Sequence, residues 1–316
     1  MKETPEVMIG RVLRAESGRY TVQSGTLTLP CQLRGRLKKE KLGRTRNLVV
    51  GDEVRFILTG AGGARESEGV IEEILPRRNM ISRLASGKSR KEQILMANLD
   101  LIFLVMAIRE PGFAGILLDR FLAACEHRRL ETRICLNKCD LDDGHEAERL
   151  LAPYQKAGYK THSLSALEGR GLDELKTSMT DQVSFFLGPS GAGKSTILAA
   201  IQPGLELATQ TVSRGSGMGR HTTTRTELHP LDFGGYVADS PGVREFGLWG
   251  VEDTKLAGCF PEFREYLGAC RFPDCSHSHE PDCAVLEALG QGLIDVGRHE
   301  SYLRILGEIR EGDLNF

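Results

Sequence analysis

Residues 188–195 form a glycine-rich run, which reads Gly188-Pro189-Ser190-Gly191-Ala192-Gly193-Lys194-Ser195. An apolar segment, 183–187, precedes the run, and a segment with helical spacing, 196–201, follows it. A buried strand, a tight turn and a helix therefore occur in the order that a phosphate-binding loop requires. The glycines let backbone N–H groups point at phosphate oxygens, and the positive end of the helix adds to the attraction. The run predicts a nucleotide-binding site.

The residues that end this loop have separate expected tasks. Lys194 is predicted to bridge the outer phosphates, and the hydroxyl of Ser195 is predicted to coordinate Mg²⁺. We also predict that Thr196 belongs to the nucleotide-binding site. The loop alone does not distinguish ATP from GTP.

A second motif, Asn137-Lys138-Cys139-Asp140, follows the apolar segment 133–136 and indicates guanine. The carboxylate of Asp140 can accept hydrogen bonds from the N1–H and 2-amino groups of guanine, a donor pair that adenine lacks. Lys138 is expected along the base plane, and Asn137 is expected to tie this loop to the phosphate loop. A charged turn at the end of a strand is the alternative. Further along, Ser165 and Ala166 resemble a loop that supports the guanine oxygen through the Ala166 N–H.

The order of the two motifs is unusual. The guanine motif comes about fifty residues before the phosphate loop, whereas in ordinary GTPases it comes after. The chain therefore looks like a circularly permuted GTPase.

Two later segments resemble the switches of GTPases. Asp239 and Gly242 follow the predicted strand 235–238, where Asp239 can hold an Mg²⁺-bound water and the Gly242 N–H can meet the terminal phosphate. The segment 219–224 resembles switch I, with Thr223 as the preferred ligand of Mg²⁺ and Thr222 as the alternative.

Val243 stands where many GTPases have a glutamine that orients the attacking water, and valine forms no hydrogen bond with its side chain. His221 is the nearest candidate for that task, since a neutral imidazole can accept a proton from water. The catalytic prediction is therefore His221 together with Lys194 and Thr223. A structural or RNA-facing His221 is the alternative. Free turnover is expected to be slow, on the order of 10⁻⁴ s⁻¹, until a partner orders the loop.

A cysteine and histidine cluster near the carboxyl end predicts a structural zinc site. Its spacing is C-x₄-C-x-H-x₅-C, and its members are Cys270, Cys275, His277 and Cys283. Four protein ligands leave no open position for water, so a catalytic zinc is not expected. His279 could replace His277, and unpaired buried cysteines are the alternative.

The predicted architecture is α/β and multidomain. Residues 1–75 contain five or so short β-prone segments and suggest an OB-type barrel, although an SH3-like barrel would look similar. Residues 76–97 are interpreted as a basic linker. Residues 98–250 show strand and helix alternation typical of a mostly parallel sheet, and 251–316 predict a small helical zinc-binding domain.

The formal net charge of −2 gives no sign of a nucleic-acid partner, but two local runs are basic. The first supplies the candidate RNA-binding residues Arg34, Arg36, Lys38 and Lys39, and the second begins at Arg77. Basic runs are usually solvated faces, so this signal is weak by itself. The amino terminus has no signal-peptide pattern, and no apolar segment has the length of a membrane span, so a cytoplasmic protein is expected.

Together these motifs resemble the RsgA (YjeQ) family of small-ribosomal-subunit-dependent GTPases. The resemblance includes the permuted motif order, the zinc set and the amino-terminal segments 30–35 and 50–54. It implies a late assembly factor that binds the small subunit and its 16S rRNA with GTP and leaves after subunit-stimulated hydrolysis to GDP. It also implies zinc at the four clustered residues and a catalytic role for His221. A monomer is the default expectation.

Two other hypotheses remain open at this stage. In one, the barrel and zinc domain act as an RNA chaperone, and GTP only stabilises the fold. In the other, the GTPase signals to a protein effector away from RNA.

Overall fold

The fold is given by a computed structural model, which divides the chain into two compact units. The first unit consists of Met1–Leu99, Asp181–Phe185 and Glu206–Val243, and the second of Asp100–Thr180, Phe186–Leu205 and Arg244–Phe316. The structure describes residues 6–16, 18–35, 37, 48–59, 68–84, 92–205, 226–239 and 250–312, with only the backbone at 83, 84, 92 and 239. Within these ranges, no helix combines the length and apolar character needed to cross a bilayer.

A closed five-stranded barrel forms the amino-terminal part of the first unit. Its strands are β1 Val7–Glu16, β2 Arg19–Ser24, β3 Leu27–Leu33, β4 Glu53–Thr59 and β5 Glu68–Ile74. They pair in the order β1-β2-β3-β5-β4-β1, with β3 and β5 parallel and the other pairs antiparallel. Alternate residues of β3 are buried inside, as a barrel requires. This strand order is that of an OB-type barrel, so the OB prediction is confirmed over the SH3-like alternative.

A buried carboxylate organises the turn that leads into β4. Asp52 is fully buried and accepts hydrogen bonds from Arg77 Nε at 2.6 Å, Arg77 Nη2 at 2.8 Å and Val49 N at 2.8 Å. A buried carboxylate needs such partners to offset its lost hydration. Arg77, the first member of the second basic run, therefore has a structural partner inside the fold.

Residues 76–97 contain a β-ribbon, so the linker interpretation of this segment was wrong. β6 Met80–Leu84 and β7 Glu92–Ala97 pair antiparallel, with Ile81 opposite Met96, and both of these side chains are buried. Charged residues between the two strands dominate the composition of the segment. The apolar positions at its ends were therefore not recognised as strands from the sequence. The exact domain boundaries stay a prediction.

Three short segments extend the sheet of the first unit beyond the barrel. β12 Glu227–Pro230 pairs antiparallel with β1 and with β13 Tyr236–Asp239. The first three residues of β11 Val183–Leu187 pair parallel with β13. The antiparallel β12 was not predicted because four residues that end in proline give little strand signal.

The second unit contains a parallel sheet and the helices that cover it. Its strands β8 Leu101–Ala107, β9 Thr132–Asn137 and β10 Lys160–Ser163 are parallel. All seven residues of β8 are buried, which is typical of a parallel strand covered on both faces. The helices are α1 Gly115–His127, α2 Glu146–Lys156, α3 Leu172–Met179 and α4 Lys194–Ile201.

The carboxyl-terminal part of the second unit is a small helical module. Its helices are α5 Asp253–Leu256, α6 Ala284–Gly290 and α7 Val296–Glu311. Phe260, Phe263 and Tyr302 pack together with ring centroids 5.0–5.4 Å apart. Asp295 caps the start of α7, and Gly312 ends it with φ 73°.

A buried cation on α7 joins this module to the nucleotide-binding part of the second unit. Arg298 is 2% exposed and donates to Asp119 of α1 at 2.5 Å and to both oxygens of Glu262 at 2.7 and 3.1 Å. Its guanidinium also lies over the rings of Tyr154 and Phe260. Burial alone would lower the pKa of Arg298, but the two carboxylates outweigh burial and raise it. Arg298 is therefore charged and fully partnered.

Replacing Arg298 with alanine should strongly destabilise the protein, because it leaves the buried Asp119 and Glu262 without their cation. We expect Arg298→Ala to lower the free energy of unfolding by about 3–5 kcal/mol in urea titrations followed by circular dichroism. The matched control is Arg304→Ala on the same helix, whose side chain is 68% exposed and pairs with Glu308. That change should cost less than about 1 kcal/mol. Equal losses from the two variants would contradict this account of Arg298.

Candidate nucleotide and metal sites

The phosphate loop leaves the carboxyl end of β11 and leads into α4. Gly188 has φ 151°, and a Cβ atom on it would lie 2.1 Å from the carbonyl oxygen of Val105. A Cβ on Gly193, at φ 93°, would lie 2.2 Å from Nδ2 of Asn137. No side chain fits at either position, so the glycines are required by close packing as well as by the turn.

Lys194 lies folded over its own loop. Its Nζ donates to the carbonyl oxygens of Gly188 at 2.7 Å and Pro189 at 2.8 Å. Ser195 and Thr196 follow in the first turn of α4 and are exposed. No side chain in the described part of the structure caps this helix end. Helix amino termini bind phosphate in other proteins, so this end of α4 suits an anion.

Asn137 connects the three predicted nucleotide-binding loops. It is 2% exposed at the end of β9. Its Nδ2 donates to the carbonyl oxygen of Ala192 in the phosphate loop at 2.9 Å, and its Oδ1 accepts from the N–H of Ala166 at 3.1 Å. The structure therefore brings together segments that are 55 and 29 residues from Asn137 in sequence.

The guanine motif and the loop at Ser165 also meet directly. Ser165 Oγ donates to Asp140 Oδ1 at 2.5 Å, and the N–H of Glu168 donates to the same Oγ at 3.2 Å. Ser165 and Arg170 exchange both backbone hydrogen bonds at 3.1 Å, which closes the loop. The Asp140 carboxylate is half-buried and bonds the same loop whose Ala166 N–H, predicted to support the guanine oxygen, donates to Asn137 Oδ1.

A contact that the sequence analysis missed lies at Lys138. Its Nζ donates to the backbone carbonyl of Glu110, in the turn that follows β8. The proline and glycine at 111–112 mark a turn at the carboxyl end of a predicted strand, where ligand-binding loops occur. That signal could have found the turn, although not its contact with Lys138.

The zinc candidates form one tight cluster. Ligand atoms of Cys270, Cys275, His277 and Cys283 all lie within 4.8 Å of one another. The two sulfurs of Cys270 and Cys283 are 3.8 Å apart, and His277 Nδ1 lies 3.6 and 3.5 Å from them. A tetrahedral zinc with Zn–S near 2.3 Å and Zn–N near 2.1 Å requires edges of about 3.8 and 3.6 Å. The residues therefore fit Zn²⁺.

His277, rather than His279, belongs to this cluster. Nδ1 of His279 lies 2.7 Å from Ser278 Oγ, and the side chain is exposed. Burial lowers the pKa of His277, which favours the neutral imidazole that a metal requires. His299 Nε2 lies 2.9 Å from the backbone oxygen of His277 and fixes its position.

Glu280 organises the metal-binding loop and was also missed from sequence. Its carboxylate accepts from the N–H groups of Ser276 at 2.8 Å, Ser278 at 3.0 Å and His279 at 3.2 Å. Burial alone would raise the pKa of Glu280, but hydrogen bonds from the Ser276 hydroxyl and from the N–H groups of Ser276 and His279 lower it. Its role depends on a local loop conformation for which no residue pattern is diagnostic.

Several predicted site residues lie outside the described ranges: Arg36, Lys38, Lys39, His221, Thr222, Thr223 and Gly242. Asp239 ends β13, and only its backbone is described. Arg34 is described, and its Nη1 donates to Glu72 with the arginine side chain 59% exposed. The roles assigned to these residues stay predictions.

Sequence models of two protein families match the chain. The model of the RsgA GTPase matches residues 74–249, more than half of the chain, and the model of the RsgA N-terminal domain matches residues 9–70. The chain belongs to the RsgA GTPase family. The resemblance noted from its motifs is confirmed, and this RsgA-family chain is a GTP-hydrolysing enzyme.

Relatives of this RsgA-family chain align over nearly its whole length. A protein of Gemmatimonas aurantiaca is 44% identical over 291 residues, 92% of each chain, and one of Caldanaerobacter subterraneus is 39% identical over 304 residues, 96% of each. Both are described as small ribosomal subunit biogenesis GTPase RsgA.

Two solved structures share the fold. The crystal structure of YjeQ from Thermotoga maritima has a TM-score of 0.79 at 32% identity and covers 96% of this chain and 99% of its own. YloQ, described as a circularly permuted GTPase, has a TM-score of 0.78 at 27% identity and covers 100% and 99%. The predicted circular permutation is thereby confirmed.

Removing the 2-amino group of the ligand tests the assignment of Asp140. The protein should bind GDP about 10- to 100-fold more tightly than inosine diphosphate, because the missing donor leaves a carboxylate oxygen unpaired. Asp140→Ala should bind both nucleotides with equal, weaker affinity in calorimetric titrations. Asp173→Ala, an exposed change in α3, is the control and should keep the preference. If Asp140→Ala still preferred GDP over inosine diphosphate, another group would have to recognise the 2-amino group.

Zinc content tests the cysteine cluster. The purified protein should contain one Zn²⁺ per chain by elemental mass spectrometry, and Cys275→Ser should lose it because a closed four-ligand site depends on every ligand. Cys259→Ser changes a buried cysteine of the same module that is outside the cluster and should retain the metal. Stoichiometric zinc in Cys275→Ser would rule out this ligand set.

Proposed function

We propose that this chain is a GTPase of small-ribosomal-subunit maturation whose nucleotide cycle controls its association with the subunit and its release. The observation that carries the proposal is the Asn137 bridge between the phosphate loop and the guanine loops. Support for the partner comes from the relatives, which are described as small ribosomal subunit biogenesis GTPases.

When GTP binds, Lys194 exchanges its hydrogen-bond acceptors. Its ammonium now bonds two carbonyls of the loop and transfers to the outer phosphate oxygens when GTP enters. The N–H groups from Gly191 to Ser195 take the inner phosphate oxygens. Lys194 thus adds a positive charge where negative charge is concentrated during phosphoryl transfer.

Mg²⁺ fits the oxygen donors that the sequence supplies. Ser195 is exposed in the first turn of α4, and hydroxyl and carboxylate oxygens are the ligands that this cation prefers. We propose that Ser195 and Thr223 hold it directly and that Asp239 does so through a water. When bound, Mg²⁺ neutralises charge on the outer phosphates.

Hydrolysis needs a group that orients the attacking water. Val243 cannot do this, so we assign the task to His221, with Thr222 and the Gly242 N–H at the terminal phosphate. The reaction is phosphoryl transfer from GTP to water, which yields GDP and phosphate. Binding to the subunit raises the rate.

RNA contact is assigned to the barrel. The basic residues Arg34, Arg36, Lys38 and Lys39 suit the phosphates of 16S rRNA. Arg34 bonds Glu72, and because the arginine side chain is 59% exposed it can exchange this carboxylate for a phosphate on the ribosome. A ribosomal partner implies that the chain works in the cytoplasm, and we propose that it does so as a monomer.

GTP hydrolysis with purified ribosomal subunits tests the proposal. Phosphate release should be slow for the free protein, on the order of 10⁻⁴ s⁻¹, and should rise with small subunits but not with large subunits. His221→Ala should lower the stimulated rate by roughly 100-fold and leave GDP affinity unchanged. His145→Ala, with a side chain 88% exposed, should behave as the unmodified protein.

The same assay, together with co-sedimentation of the protein with small subunits, separates the alternatives. Equal rates with and without small subunits would reject the main proposal. Normal association and release of Lys194→Ala would favour an RNA chaperone. Unchanged partner binding after charge reversal at the four basic residues would favour an effector away from RNA.

A further inference from the structure

A turn after β8 lies beside both nucleotide motifs. It begins after Ile108, whose N–H donates to the Asn137 carbonyl at 3.0 Å. The carbonyl of Glu110 then accepts the hydrogen bond from Lys138 Nζ. Pro111 lies against the phosphate loop, with its Cδ 3.2 Å from the position that a Cβ on Gly191 would occupy. The turn, residues 109–111, therefore contacts the guanine motif on one side and the phosphate loop on the other.

An arginine anchors this turn to the segment that follows the guanine motif. Arg109 Nη2 donates to Glu146 at 2.9 Å and to Asp143 at 3.1 Å. Glu146 is the first residue of α2 and Asp143 lies three residues before it. The Asp142 carboxylate accepts from the N–H groups of Glu146 and Ala147 at this helix end. The position of the turn is thus fixed against an ordered helix end.

The turn is held in an unfavourable backbone conformation. Glu110 has φ 54°, a left-handed value that costs free energy for any residue except glycine. Such conformations persist only where the surrounding contacts require them, and they are concentrated at functional sites. Here the conformation accompanies a carbonyl that bonds Lys138, which itself has φ 63°.

We propose that the 109–111 turn is a positioning element of the nucleotide site. Arg109 anchors it, and the Glu110 carbonyl holds the Lys138 side chain ready for the face of the guanine base. A lysine that is ordered before the ligand arrives loses less side-chain entropy on binding, so the bound nucleotide should stay longer. This inference rests on the proposed nucleotide site.

Release of a fluorescent GDP analogue, measured by stopped flow with excess unlabelled GDP, tests the proposal. Arg109→Ala should release the nucleotide roughly five- to tenfold faster than the unmodified protein. Arg109→Lys, which keeps the charge, should restore part of the slow release. The matched control is Arg149→Ala, because Arg149 lies 3.9 Å from the same Glu146 carboxylate, is 78% exposed and belongs to α2 rather than to the turn. It should change the rate by less than about twofold.

Two further readouts separate positioning from a general structural role. Arg109→Ala should keep the GDP preference over inosine diphosphate, since Lys138 does not read the 2-amino group, and it should keep the thermal midpoint. The inference would be overturned if Arg109→Ala released the nucleotide at the same rate as the unmodified protein, or if Arg149→Ala accelerated release equally. A lowered thermal midpoint of Arg109→Ala would also overturn it. Failure of the unmodified protein to bind GDP would instead refute the proposed nucleotide site.

Discussion

The nucleotide site depends on one buried amide. Asn137 donates to the phosphate loop and accepts from the Ala166 N–H, a combination that a carboxylate or an aliphatic side chain cannot supply. Replacing either the donor or the acceptor of the Asn137 amide would leave a buried backbone group unpaired. That costs more free energy than the hydrogen bond itself contributes. Gly193 must lack a Cβ because Asn137 occupies that space. The convergence of these loops depends on where their strands end, so permuting the order of the segments leaves the site intact.

A different constraint governs the small carboxyl-terminal module. Its aromatic cluster is too small to supply a large core, and two further features stabilise the module. One is the Cys₃His set, whose spacing fits a tetrahedral metal. The other is Arg298, which crosses to Asp119 of α1. Because breaking a buried ion pair is strongly unfavourable, this pair stabilises the packing of α7 against α1.

The site residues that could be predicted from the sequence are those whose chemistry demands a particular type at a particular spacing. Gly188, Lys194, Asp140 and the zinc cysteines belong to this class. Residues whose role depends on a distant partner were not found. Arg77 looked like one member of a basic run, yet it neutralises the buried Asp52. Arg298 and Glu280 have no local pattern that distinguishes them from solvated residues. The proline and glycine at 111–112 mark the turn at Glu110 but not its contact with Lys138, and the geometry excluded His279 as the alternative to His277.

The most direct test of the central claim is a crystal structure of this chain with GDP and Mg²⁺. We expect the N1–H and 2-amino groups of guanine on the Asp140 carboxylate and the diphosphate on the N–H groups from Gly191 to Ser195. Both hydrogen bonds of Asn137 should be retained. A nucleotide bound away from Asp140, or an Asn137 side chain released from Ala192 and Ala166, would contradict the account.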